Sequence, residues 1–215
     1  MGAYMSKAAR PTLITLALSA AAVLGYVAYR FTLDRQPAID DGPVPIAAES
    51  ADQAAPRSLP NALPEFSLAN LDGEQQSIRS WPGQPLVINF WATWCAPCLR
   101  EIPMLKAFQD ANPELTVVGI AVDTLDEVEP FAADMDFNYP ILVGRNEAVN
   151  AAASFGVEFY ALPFTIFTDA EGRTLGVRTG ELHQEQLDDF LAVLADLDAG
   201  RTTLEDARAR VAGVM

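Results

Sequence analysis

Cysteine and histidine are nearly missing from this chain. Its 215 residues include two cysteines, Cys95 and Cys98, and one histidine, His183. Zinc asks for four ligands, so a cysteine pair with one distant histidine argues against a zinc site. Basic residues are scarce as well: 14 Lys and Arg stand against 29 Asp and Glu, a formal net charge of −15. A surface that acidic argues against nucleic acid as a partner and favours basic or neutral protein faces. Internal repeats are absent.

What is present gathers around Cys95. Leu86-Val87-Ile88-Asn89-Phe90 is an apolar, β-branched run that reads as a strand buried on both faces. Trp91-Ala92-Thr93-Trp94-Cys95-Ala96-Pro97-Cys98 follows, with a helical pattern beyond it. Cys95 is therefore expected at a helix start, where free N–H groups and the positive dipole end stabilise a thiolate. Cys98 lies one turn in on the same face, within reach of a mixed disulfide formed by Cys95. Zinc, a structural disulfide and redox exchange are the three readings of such a pair. A bridge across so tight a loop constrains little of the unfolded chain, and the flanking strand and helix favour exchange.

On a helical wheel of residues 96–111, Cys98, Ile102, Met104, Leu105 and Phe108 share an apolar arc, opposite Arg100, Lys106 and Asp110. Glu101 falls inside that arc. Either its carboxyl group is buried, with a raised pKa suited to trading protons with a thiol, or the side chain snorkels to the surface.

Residues 12–29 carry no charge, and a helix of that length spans about 27 Å, enough for a bilayer core. Lys7 and Arg10 precede the run, which places the N-terminus in the cytoplasm and the rest outside; Tyr26 and Tyr29 close it at an interfacial belt. The rival is a cleavable signal peptide using the small residues Ser19 to Ala22, although these sit mid-run. No cysteine follows within the linker, so lipid attachment through one is ruled out. Both readings deliver the domain to an oxidising compartment. Residues 1–35 hold four cations against Asp34, a net of +3, which leaves −18 for the remainder. The expected organisation is a cytoplasmic start and transmembrane anchor over 1–35, then a proline-rich disordered linker over 36–62. A folded domain over 63–199 follows, with an extension over 200–215 that opens on a Thr202-x-x-Glu205 capping box and a short helix and is either a frayed extension or a docking segment.

Within the domain, residues 66–68 and 76–78 read as strands joined at Asp72-Gly73. Residues 115–122 form a second apolar strand ending at Asp123, and 126–135 a helix. Residues 141–143 are a brief strand, and 147–155 a helix stopped by Gly156. Residues 164–168 and 174–178 form a hairpin, and a last helix covers 183–197 with Leu187, Phe190, Leu191 and Leu194 buried. This order gives a mixed α/β sheet with helices on both faces.

The Trp91-x-x-Trp94-Cys95-x-Pro97-Cys98 order, with Pro103 five residues beyond Cys98, resembles the thioredoxin superfamily. Glu101 and the apolar N-terminal segment make the likeness closer to its TlpA/ResA-like, membrane-anchored thiol–disulfide oxidoreductases, over about residues 60–199. The resemblance implies a thioredoxin-like sheet flanked by helices, with an N-terminal hairpin and an inserted helix. It implies Cys95 as nucleophile, Cys98 as resolving thiol and Glu101 as buried acid. Thioredoxin itself carries an aspartate on the preceding strand, where this chain has Asn89. The likeness also implies a cis-proline at Pro163, with Trp94, Leu162 and Pro163 meeting the substrate peptide. On its own residues, Pro163 is equally ordinary as the start of a strand. Five residues separate Val157 from Pro163, more than is common in the family, and Phe159 and Tyr160 among them are either a substrate-facing lip or core. Trp91 and Trp94 are expected to pack against and shield the dithiol, and His183 to do no chemistry.

The partners implied are client proteins with disulfides, whether cytochrome apoproteins, copper-site proteins or an isomerase. A transmembrane thiol donor of electrons is implied too, with the bacterial inner membrane reached through residues 12–29 and the domain in the periplasm. No cofactor or metal is expected. Ala96-Pro97 places no histidine between the cysteines to stabilise the thiolate strongly, which leans the pair toward reduction. A copper(I) chaperone and a peroxiredoxin-type peroxidase are the alternatives for the same two thiols.

Overall fold

The computed structural model describes Tyr26, Tyr29, Arg30 and residues 59–158 and 161–214. Most of the 12–29 segment, and with it the anchor and signal-peptide readings, lies outside the described residues. Among the described residues no helix is long and apolar enough to cross a membrane. Phe159 and Tyr160 also fall outside them.

Alternation along strand β3 (Leu86–Trp91) organises the domain. All six of its residues are buried, because sheet and helices cover both sides. Val87 and Trp91 join one apolar cluster, Leu86, Ile88 and Phe90 the other. Strand β4 (Thr116–Ala121) runs parallel to β3, and β6 (Phe164–Thr168) runs antiparallel on its other side. With β1 (Ser67–Asn70), β2 (Gln75–Ser77), β5 (Ile141–Val143) and β7 (Thr174–Thr179) the sheet order is β2-β1-β5-β4-β3-β6-β7. The expected mixed sheet and N-terminal hairpin are both present. Gly73, at φ 77°, supplies the left-handed residue that the β1–β2 turn requires.

Helices α1 (Ala96–Ala111), α2 (Leu125–Met135), α4 (Gln184–Asp198) and α5 (Leu204–Val214) bury their apolar sides in the cluster that holds Val87 and Trp91. Helix α3 (Asn146–Ser154) packs Ala148, Ala151 and Ala152 into the other cluster. Fully burying a side chain such as Leu105, which is 0% exposed, contributes about 2 kcal/mol. On α1, Met104 lies at the margin of the buried arc. On α4, Val193 takes the buried place expected of Leu191, which is only partly covered. Gly119 on β4 makes room for aromatics: a Cβ there would stand 2.7 Å from Ile141 Cδ1 and 3.1 Å from Trp91 Nε1.

The C-terminal segment corrects one expectation. Helix α5 is capped by Thr203, whose hydroxyl accepts from the Asp206 N–H at 3.1 Å, one residue later than the Thr202/Glu205 box. The helix docks: Ala207 and Val211 are buried against the α4 and β7 side of the core. Arg208 donates to the carbonyls of Thr174 (2.8 Å), Pro60 (2.9 Å) and Leu59 (3.2 Å). Residues 59 and 60, at the end of the expected linker, are thereby tied to the folded domain.

Candidate active site

The site forms where β3 stops. Parallel strands end their chains at the same edge of a sheet, so the turns after β3 and β4 meet there, and Val122 N–H donates to Trp91 O at 2.8 Å. Cys95 is the N-cap of α1 in extended conformation, as its place before a helical pattern predicted. Its Sγ accepts from the Cys98 N–H at 3.4 Å, and Pro97 occupies a position whose N–H would have no helical partner. Cys95 and Cys98 are joined in a disulfide. Cys95 is 5% exposed and Cys98 0%, so an incoming sulfur can meet only Cys95.

Glu101 is buried at 2% exposure, one turn beyond Cys98, and does not snorkel. Its Oε1 accepts from Asn89 Nδ2 and its Oε2 from the Leu182 N–H, both at 2.7 Å. Burial raises its pKa from an ordinary 4.5 to about 7; the two donors pull the other way, and nearby Glu181 adds a small upward push. Glu181 itself pairs at the surface with Arg100. A carboxyl group of this kind is half ionised near neutrality and can both accept and return a proton.

The Leu162–Pro163 peptide is cis. Phe90 pairs with Phe164, so Pro163 lies level with the end of β3, on the edge that carries the cysteine loop. Leu162 packs against both apolar clusters. Trp91 is enclosed by Phe131 and Phe137, each 5.4 Å away between ring centroids. Trp94 is 70% exposed, so it is not packed in the core as Trp91 is. The reason is its indole N–H, which donates to Asp123 Oδ1 at 3.0 Å and so leaves the ring standing in solvent.

Asp123, Asn89 and Thr165 were not picked out as site residues from sequence. Asp123 is 1% exposed, and its Oδ2 also accepts from the N–H (2.7 Å) and hydroxyl (3.0 Å) of Thr93. It therefore fixes the two residues that precede Cys95. The available signal was its position, a carboxylate closing the strand parallel to β3. His183 serves as N-cap of α4. Among the described residues no group of three or more metal-binding side chains is present.

A dithiol at the start of a helix, beside a buried acid and level with a cis-proline, defines a thioredoxin-like fold with a site for thiol–disulfide exchange. Comparison agrees: the model of the AhpC/TSA family matches residues 60–174, and the chain belongs to that family. It is 30% identical over 135 residues to the thiol-disulfide oxidoreductase ResA of Geobacillus thermodenitrificans, covering 61% of this chain and 75% of that one. It is 31% identical over 140 residues to the thioredoxin-like protein YneN of Bacillus subtilis, covering 63% and 77%. A solved thiol:disulfide interchange protein of the thioredoxin family from Chlorobium tepidum matches with TM-score 0.56 and 29% identity, over 63% of this chain and 96% of the other. This chain is a thiol–disulfide oxidoreductase.

Proposed function

We propose that the protein reduces disulfides of client proteins outside the cytoplasm, tethered to the bacterial inner membrane by residues 12–29. The Cys95 thiolate attacks a client disulfide; one client sulfur leaves as thiolate and a Cys95–client disulfide forms. Glu101 takes the Cys98 proton, and the Cys98 thiolate attacks the Cys95 sulfur. The second client sulfur is released, and Cys95–Cys98 is left oxidised, the state in the structure. A transmembrane dithiol donor returns the two electrons. Trp94, Leu162 and Pro163 face the client, among which cytochrome apoproteins of cytochrome c biogenesis are a candidate class. The observation that carries this reading is Glu101, buried beside a helix-terminal dithiol of which only Cys95 reaches the surface. The names of the relatives support the exchange chemistry and speak against the peroxidase and copper-chaperone alternatives.

The test is a Cys98→Ala variant, which leaves Cys95 unable to be resolved. It should accumulate mixed disulfides with clients in the periplasm, and a Cys95→Ser variant should accumulate none. Direction is read by equilibrating the pair against glutathione. A reductant lies nearer to about −270 mV than to about −120 mV, and a value above about −160 mV would make the protein an oxidant.

A further inference from the structure

On the α1 side of β3 the residues are Val87, Asn89 and Trp91, and only the middle one is polar. Asn89 is 1% exposed, and a buried amide is costly unless its hydrogens are used. Both are used. Nδ2 donates to Glu101 Oε1 at 2.7 Å and to Thr165 Oγ1 at 3.1 Å, so one amide group joins β3, α1 and β6. Strand β6 starts directly after the cis Leu162–Pro163 peptide.

We infer that Asn89 is a positioning residue: it holds the Glu101 carboxyl group and sets the pH at which that group exchanges its proton, while Thr165 anchors the amide from β6. The inference rests on Glu101 being the proton partner of Cys98. Thr165 accepts the second hydrogen of the amide, so the group is held from β6 as well as from α1, and the carboxylate, an acceptor only, keeps the nitrogen toward itself. Were the amide reversed, its oxygen would face an ionised carboxylate, acceptor against acceptor. A donor at that place favours the charged form of Glu101 and opposes its burial. The surrounding charges do not do this. Arg100 is turned to Glu181 at the surface, and Lys106 donates to Met135 O at 2.8 Å. Ahead of α4, Glu181 is a like charge that raises the Glu101 pKa, and His183 acts on Glu181. Tyr139, between β4 and β5, stays protonated through burial and the Glu101 charge. From β3 and β6 neutral Asn89 and Thr165 face this side, and Arg178 on β7, the ladder partner of Thr165, is not among the groups that shift Glu101. Among the described residues no cation pairs with it, so the balance near neutrality depends on two neutral donors, Asn89 and the Leu182 backbone.

The test is a carboxyl-carbon NMR titration of Glu101 in the full-length oxidised protein, with the resonance assigned by its loss in Glu101→Gln. In Asn89→Leu the midpoint should rise by about one pH unit, and in Thr165→Val by less in the same direction. Asn89→Asp sets a second carboxyl group against the first, so a shared titration in two separated steps should replace the single one. The pH profile of Cys98 alkylation in the reduced protein should follow these shifts. If Asn89→Leu does not fold, the other two variants decide. A Glu101 midpoint equal to wild type in both overturns the role of Asn89. Should the midpoints move as stated while Glu101→Gln exchanges disulfides at the wild-type rate, Asn89 keeps its hold on Glu101 and the proton-partner reading is the one that falls.

Discussion

The two faces of the sheet use the same central strands for different ends. Toward α3, β3 and β6 present Leu86, Ile88, Phe90, Phe164 and Ile166, and Phe90 stacks on Phe164 at 4.3 Å. Toward α1, the same strands present Asn89 and Thr165 among their apolar residues, and α1 answers with Glu101. One face is packing alone; the other gives up packing at one place to hold an ionisable group. Stability and chemistry are thus separated by one residue of strand register, because neighbours on a strand point to opposite faces.

The largest expected effect lies on the packing face. Phe155 is 0% exposed and meets Phe66 edge to face with centroids 6.0 Å apart. Phe155→Ala should cost about 3–5 kcal/mol in denaturant melts while exchange by the folded fraction keeps its wild-type rate. A slowed reaction below the melt would break the separation of the faces.

Next comes Glu101→Gln. The folded pKa of about 7 lies above the ordinary 4.5, so the native state binds more protons than the unfolded chain between those values. Wild-type stability therefore falls as pH climbs through that window, by about 3 kcal/mol in all. Glutamine removes this loss but turns its NH2 toward one of the two donors, Asn89 or Leu182, which offsets part of the gain. The variant should be firmer than wild type by about 2 kcal/mol above pH 7, and the difference should fall by about 3 kcal/mol, to slightly below zero, toward pH 4.5. Exchange should slow by roughly 10²-fold with loss of its proton partner. Melts across pH and thiol alkylation rates check both.

The part of this arrangement that depends on local pattern was legible in sequence. A mostly apolar, β-branched run marked β3, Asp72-Gly73 marked the hairpin, and the helical period put Glu101 in the buried arc. Periodicity assigns a residue to a face without naming what it meets across the core. That is why Asn89, in an apolar strand, gave no sign of its bond to Glu101, twelve residues away. Asp123 read as the end of a strand because its donors, Thr93 and Trp94, come from a turn that only the parallel pairing of β3 and β4 brings near. For the same reason sequence alone reads Trp94 as a packing residue. Helix α5 is weakly amphipathic and docks through Ala207, Val211 and Arg208, a pattern too sparse to separate from a frayed tail.

A smaller effect is expected at the cysteine turn. Asp123→Asn keeps the shape but replaces one acceptor oxygen by a donor, so either Trp94 or Thr93 loses its bond. Stability should drop by roughly 1–2 kcal/mol. If Trp94 meets the client, KM should rise more than kcat falls, and Trp94 fluorescence should change. An unchanged KM would remove Trp94 from the client surface.

The smallest effect tests whether face or place on the face decides. Helix α5 packs on the same side of the sheet as Glu101, but Arg208 acts at the other end. Its carbonyl partner Thr174 starts β7, and Thr174 pairs with Thr168, which itself lies opposite Leu86, the first residue of β3. The cysteine turn follows the last residue of β3, Trp91, five residues further along the strand and so about 17 Å away. Arg208→Met keeps the apolar stem over the core and removes three donations to carbonyls, two of which hold residues 59 and 60. These carbonyls are only partly buried and can turn to water, so the loss should be about 1 kcal/mol. Amide exchange should quicken at Thr174, whose N–H donates to Pro60 O at 3.0 Å, while that of Cys98 stays as it was. The rate of disulfide exchange and the Glu101 titration should not change. If either moved with Arg208→Met, the far end of the sheet would be coupled to the dithiol, and the chemistry would belong to the whole α1 face and not to the cluster of Asn89, Glu101 and Thr165.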